Sequence, residues 1–204
     1  MHSDKGLLLV ISGPSGVGKG TICKALINRN ANMHFSVSAT TRRKRADEAE
    51  GVNYFFKKRE EFERMIGQGE FLEYMLLFNV NYYGTPRAYV EEELLAGNDI
   101  LLEIDYQGAV RVKKAYPEAV LVFIAPPDMG ELQSRLLHIG SGIDQLEERM
   151  STAKDELAAA AHYDYIVVND IVDRAVAEVE RIVAAEKCAV ARNRGLIARL
   201  ITEN

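Results

Sequence analysis

The sequence predicts an α/β fold with a buried parallel sheet, and three observations carry that reading. Short apolar runs rich in β-branched residues alternate with segments of helical periodicity along most of the chain. The first run turns directly into a glycine-rich loop of the kind that cradles phosphates, and a helical pattern follows it. The alternation breaks over 38–94, where aromatics surround a short helical stretch, which reads as an inserted α+β lobe. At 204 residues, 48% hydrophobic and 27% charged, the chain suits one globular unit with an inserted piece.

The elements follow in order. "LLLVIS" (7–12) is the first strand and "TICKALINRN" (21–30) the first helix. "FSVSATT" (35–41) reads as the end of a core strand, where open α/β sheets bind ligands. Inside the insertion, "NYFF" (53–56) and "FLEYMLLF" (71–78) read as short strands around a helix from Glu60 to Gln68. The rhythm resumes with "DILLEID" (99–105), "GAVRVKKAY" (108–116), "AVLVFIA" (119–125) and "ELQSRLL" (131–137). "HIGSGIDQ" (138–145) interrupts two helical segments and reads as a mobile loop, and "AAAA" (158–161) falls inside the second of them. The strand "YDYIVVN" (163–169) then leads into a helix whose Val176, Val179, Ile182 and Val183 recur at helical spacing.

Charge narrows the function classes. Lys and Arg number 25 against 30 Asp and Glu, a formal charge of -5, which argues against general affinity for nucleic acid or anionic membrane. Cys23 and Cys188 lie far apart with no metal-ligand spacing and read as free thiols in a reducing cytoplasm. The apolar run after "MHSDKG" is too short for a signal peptide or a membrane span, so a cytoplasmic location is expected. The histidines, His2, His34, His138 and His162, show no metal spacing and read as surface residues.

"GPSGVGKGT" places Gly13, Gly18 and Lys19 at the spacing of a phosphate loop, between a strand and a helix as that motif requires. The loop Gly13, Pro14, Ser15, Gly16, Val17, Gly18, Lys19, Gly20 and Thr21 is expected to surround the phosphates of ATP with the backbone N–H groups of its residues other than Pro14, which has none, and with the Lys19 side chain on the β and γ oxygens. Gly20 follows the lysine where a hydroxyl residue is usual, and the hydroxyl comes one position later. Mg2+ is therefore expected to be held by phosphates and waters, with Thr21 in its first or second shell.

Four consecutive cations, Arg42, Arg43, Lys44 and Arg45, stand out in an acidic chain. Such a run by itself is usually a solvated face. Here it follows the 35–41 strand, and Tyr54 and "NYYGT" (81–85) supply phenols suited to a phosphate monoester beside arginines. Glu73 in "FLEY" and Asp105 in "EIDYQG" are acids near strand ends, able to face a ligand with N–H donors.

"GPSGVGK", "SVSATTR", "GVNYFF", "EFLEY", "NYYGT", "EIDYQGA", "FIAPP" and "IVVND" stand in the order seen in the guanylate kinases, and the chain resembles that family from Leu7 to about Arg192. The resemblance implies a five-stranded parallel core sheet, a GMP-binding lobe and a mobile lid, and transfer of the ATP γ-phosphoryl to GMP, with dGMP as an alternative acceptor. It divides the chain into a core (1–37, 95–126 and 150–204), the lobe (38–94) and the lid (127–149). Monomer and homo-oligomer both remain open. By motif, Arg42, Arg45, Tyr54 and Tyr83 resemble the holders of the GMP phosphate, and Ser38, Glu73, Thr85 and Asp105 the readers of guanine. Lys19, Arg42 and the lid-side Arg135 and Arg149 resemble the groups that neutralise the transferring phosphoryl. Arg43 and Lys44 stay as solvated charges, and Glu103 as a partner to a water on Mg2+ or a support to the site. Asn169 and Asp170 are read two ways, as the border of the adenine pocket or as a turn and helix cap. The family usually continues the lid as R-L-x-x-R-G, whereas "RLLHIG" places Ile139 at the second arginine.

Overall fold

The computed structural model describes residues 5–77, 79–139 and 143–202. The chain runs β1 (Leu8–Ser12), α1 (Lys19–Arg29), β2 (Met33–Phe35), β3 (Ala39–Thr40), β4 (Phe55–Phe56), α2 (Arg59–Gly67), β5 (Phe71–Leu77), β6 (Asn81–Pro86) and α3 (Arg87–Leu95). It continues with β7 (Asp99–Glu103), α4 (Tyr106–Ala115), β8 (Val120–Ala125), α5 (Met129–His138), α6 (Ile143–Ala158), β9 (Tyr165–Val168), α7 (Val172–Cys188) and α8 (Arg194–Thr202). The core sheet has five parallel strands in the order β2-β7-β1-β8-β9, as the alternation predicts.

The apolar runs of β1, β7 and β8 show no polar alternation because both faces of the sheet are covered over its central strands. Successive side chains of a strand point to opposite faces, so β1 divides between two cores. Leu9 and Ile11 pack with Ile22 and Leu26 of α1, Leu132 and Leu136 of α5 and Val176 and Val179 of α7. Leu8 and Val10 pack with Val90 and Leu94 of α3 and Ala109 and Val112 of α4. Each such side chain, fully buried, contributes about 1.5–3 kcal/mol relative to exposure. The two layers hold the carboxyl ends of the strands, and the loops that leave them, in fixed register.

A second, four-stranded sheet, β4-β3-β6-β5, is built from the 39–86 stretch. Its core is aromatic: the Phe62 ring of α2 stacks on Phe71 at 4.3 Å and on Tyr82 at 5.2 Å. The strand expected over 35–41 is in fact split between the sheets. Ser36 N–H donates to Leu101 O as the last bond to the core, and Ala39 pairs instead with Gly84 and Phe55. The helix expected through "AAAA" ends at Ala158, and 159–162 tighten into a 3-10 turn that delivers Tyr163 toward β9. The loop expected over 138–145 is shorter, because α5 runs through His138 and α6 begins at Ile143, and 140–142 lie outside the described residues.

Candidate active site

At the carboxyl end of β1 the chain turns sharply enough to need glycine. Gly18 has φ 98°, and a Cβ there would lie 2.5 Å from Asn169 Nδ2. A Cβ on Gly13, φ 145°, would lie 2.2 Å from Ile124 O, so the loop passes directly against β8. The Lys19 ammonium donates to Gly13 O and, at 3.0 Å, to Pro14 O, which keeps it over the loop. Burial lowers its pKa, opposed by the nearby carboxylates of Glu156 and Glu103. Burial pushes the Cys23 thiol behind it up to about 12, so this cysteine is packing material rather than a nucleophile.

Distant residues brace the loop. Asn169, at the end of β9 and 3% exposed, donates from Nδ2 to Val17 O at 2.7 Å. Arg135 of α5 donates to the same oxygen at 3.3 Å and to Asn169 O at 3.0 Å, while its Nε pairs with Glu131 at 2.9 Å. Arg135 thus makes a helix ion pair and a contact to the phosphate loop at once. Asp170 is exposed, bonds Ile171 N–H and pairs with Arg174, as a turn residue does.

Between the loop and α5 opens a cleft of about 750 Å³, lined among others by Lys19, Lys24, Glu103, Arg135, His138 and Ile139. The Glu103 carboxylate lies beside Gly20, with both its oxygens 3.6 Å from where a Cβ would stand, an ordinary contact distance. Thr21 stands exposed beside them on the first turn of α1. A hydroxyl and a carboxylate at the mouth of a phosphate loop form the hard oxygen set that Mg2+ prefers, so these residues fit that ion. Arg149 sits half-buried on α6 and does not line the cleft.

The second sheet gathers the other predicted residues. Tyr83 and Thr85 lie two apart on β6 and so share a face. Glu73 is opposite Thr85, whose hydroxyl donates to its Oε1 at 2.8 Å. Ser38 precedes Ala39, which faces Gly84, so the register continues it toward Thr85. Glu73 is 8% exposed and Thr85 fully buried. Burial raises the Glu73 pKa, against the pull of the Thr85 hydrogen bond. Asp105 caps α4 by accepting from Gly108 N–H at 2.7 Å through Oδ1, with no hydrogen bond to its Oδ2 among the described residues.

Around Tyr83, the Tyr54 ring meets it edge-on at 5.9 Å and Arg42 lies 5.3 Å from the Tyr54 centroid. Arg45, Arg43 and Lys44 are exposed. Sequence reasoning missed Glu48, which binds the Arg42 guanidinium, and Lys24 at the ATP-side cleft. Glu48 lies in a loop, where helical i,i+3 pairing gives no signal, and Lys24, one helical turn beyond Gly20, carries none either.

The comparisons with known proteins agree with this geometry. The family model described as guanylate kinase matches residues 5–186. A guanylate kinase of Caldanaerobacter subterraneus subsp. tengcongensis is 49% identical over 98% of this chain and 97% of its own, and one of Shouchella clausii is 51% identical over 92% of each. Among solved structures, the crystal structure of guanylate kinase from Anaplasma phagocytophilum superposes with a TM-score of 0.72 at 32% identity, covering 100% of this chain and 99% of that one. A phosphate loop on a five-stranded parallel sheet, a second sheet with a buried acid and a cationic cluster, and kinship along the whole chain lead to one statement: the chain belongs to the guanylate kinase family.

Proposed function

We propose that this chain transfers the γ-phosphoryl of ATP to GMP, giving ADP and GDP, with the labour divided between the two sheets. The single observation that carries the reading is the shared face of β6, where Thr85 with Glu73 and Tyr83 with Arg42 stand roughly 7 Å apart along the strand. That spacing suits a purine at one end and its 5′-phosphate at the other.

Guanine offers a ring N–H and an exocyclic amine side by side, and the Glu73 carboxylate accepts from both. Its carbonyl oxygen takes a hydrogen bond from Ser38 or Thr85, and Asp105 borders the same base. Adenine would set a ring lone pair against the carboxylate and leave a buried polar group unpaired, so discrimination of ~10^4 is expected. Arg42, Arg45, Tyr54 and Tyr83 hold the phosphate. dGMP is the alternative acceptor.

ATP enters the loop of residues 13–21, with backbone N–H groups and Lys19 on the phosphates. Mg2+ would be held by Thr21, and through water by Glu103, and would supply neutralisation of the phosphate charge. The acceptor phosphate is already ionised, so the site needs alignment and charge more than a base. Lys19 and Arg42 approach from the two substrates' own sites, and Arg135 and Arg149 from the 127–149 lid, whose closure excludes water. Residues 1–37, 95–126 and 150–204 form the core in this reading and 38–94 the GMP lobe, with α3 lying across that boundary because Val90 and Leu94 pack on the core. A cytoplasmic place is part of this reading; no helix among the described residues is long and apolar enough to cross a membrane.

A coupled assay of ADP formation from ATP with GMP, dGMP, AMP, CMP or UMP tests the proposal. GMP is expected to accelerate ADP formation far more than the other ribonucleotides; equal rates with AMP, or no acceleration by any, would overturn it.

A further inference from the structure

The Arg42 guanidinium has five N–H donors, and the structure shows where three of them go. Nη1 donates to Arg43 O at 2.9 Å and to Glu48 Oε2 at 3.0 Å, and Nη2 donates to Glu48 Oε1 at 2.6 Å. Glu48 thus occupies the end-on edge of the guanidinium, and the Arg43 carbonyl takes the Nη1 hydrogen that points back along the side chain. The remaining donors are Nε–H and the second Nη2–H, which lie parallel on the side-on edge, spaced for two oxygens of one phosphate. The Tyr83 hydroxyl lies within hydrogen-bonding reach of the same guanidinium, so this edge faces the phenol assigned to the phosphate with it.

Other contacts keep that edge in place. The guanidinium lies 5.3 Å from the Tyr54 ring centroid and 5.9 Å from that of Phe56, which limits its tilt. Glu48 Oε2 also accepts from Arg45 N–H at 2.8 Å, so the backbone of the second cation hangs from the same carboxylate. The two side chains are 18% and 10% exposed, sheltered enough for the pair to hold a geometry that a solvated ion pair would not. The Arg42 guanidinium, and then the Arg45 N–H, hold the Glu48 carboxyl at about 2, so it stays ionised through any working pH.

We propose that Glu48 is a positioning residue for the phosphate end of the acceptor site: it locks Arg42 so that only the Nε/Nη2 edge faces the nucleotide monophosphate. The inference rests on the assignment of Arg42 to the GMP phosphate. The opposing account makes Glu48 a competitor, an internal anion that the substrate phosphate must displace. The two differ in sign, since removing a competitor tightens binding and removing a support weakens it.

Glu48→Gln leaves the shape, but its amide can accept only one of the two guanidinium bonds. The measurements are calorimetric affinities for GMP and for guanosine, which lacks the phosphate, together with kcat and KM, on the full chain with its fold checked by circular dichroism. Loss of a charge-assisted bond predicts a GMP affinity weaker by about 10- to 100-fold, guanosine affinity unchanged, and KM for GMP rising more than kcat falls. Glu48→Asp, which keeps the charge on a shorter arm, is expected in between, and carries the test if the glutamine variant folds poorly. Arg42→Ala separates the two layers of the argument. If it weakens GMP alone while Glu48→Gln leaves GMP unchanged or tighter, the positioning role is wrong and the Arg42 assignment survives. Equal weakening of GMP and guanosine in Glu48→Gln makes Glu48 a support for the lobe as a whole and overturns the proposal. Unchanged GMP affinity in Arg42→Ala removes the phosphate assignment and this inference with it.

Discussion

At the scale of single residues, the site trades stability for recognition. Glu73 is a buried carboxyl that accepts from the uncharged Thr85 hydroxyl, and its pKa is raised, chiefly by burial. A raised acid binds its proton more readily folded than unfolded, so ionisation opposes folding as pH climbs from the unfolded value through the folded one. Glu73→Gln is therefore expected to raise the melting temperature of the unliganded protein at pH 7 more than at pH 4. The same change should cut kcat/KM for GMP by about 10- to 100-fold, because an amide cannot accept from two guanine donors. Calorimetric melts beside steady-state kinetics check both, and an unaltered GMP preference would remove Glu73 from the base site. The four cations divide by the same reasoning. Arg42→Ala should be the most harmful, Arg45→Ala next, and Arg43→Ala and Lys44→Ala near neutral, since only the first has its side chain fixed by Glu48 and Tyr54. Similar small effects at all four positions, in assays with varied GMP, would return the cluster to a solvated face.

At the scale of elements, the phosphate loop is local in sequence but not in its support. Asn169 and Arg135, 152 and 118 residues away from Val17, both donate to its carbonyl. Asn169→Ala would leave that oxygen with the longer Arg135 bond alone, at a cost of about 1–3 kcal/mol. The expected outcome is a lower melting temperature and a higher KM for ATP, with KM for GMP unchanged; a GMP effect of equal size would mean the brace serves the whole cleft. This contrast explains what the sequence could disclose. "LLLVIS" into "GPSGVGKGT" was legible because strand, turn and helix are adjacent, β7 and β8 because buried parallel strands are apolar on both faces, and β9, an edge strand with Ile166 and Val168 exposed, from its β-branched run. The split of 35–41 between two sheets was not, since only tertiary pairing with Gly84 and Phe55 pulls Ala39 away from the core. The roles of Ser38 and Asp105 were proposed by resemblance; what the structure adds is that one continues the register toward Thr85 and the other caps α4. Glu48 went unread because a loop acid declares a partner only once its loop is folded.

At the scale of the whole molecule, the proposed reaction requires the acceptor sheet and the ATP loop to be brought together and the 127–149 lid to close the ATP side. Ile139 stands where the family pattern carries a second lid arginine. It is 63% exposed and lines the same cleft as Lys19, so it has little packing to lose. Lys24 and His138 line that cleft too, and part of the missing charge is available from them. An arginine acting as the sole finger of a phosphoryl-transfer site is worth ~10^3 or more. As one cation among Lys19, Lys24 and Arg135, a restored arginine should be worth on the order of tenfold, about 1.4 kcal/mol of transition-state stabilisation. Ile139→Arg is thus expected to raise kcat and leave KM for GMP nearly unchanged, because the new charge reaches ATP and not the acceptor lobe. If apolar contact of Ile139 helps the lid to close instead, kcat falls while circular dichroism stays the same, and steady-state kinetics at saturating ATP and GMP decide between the two.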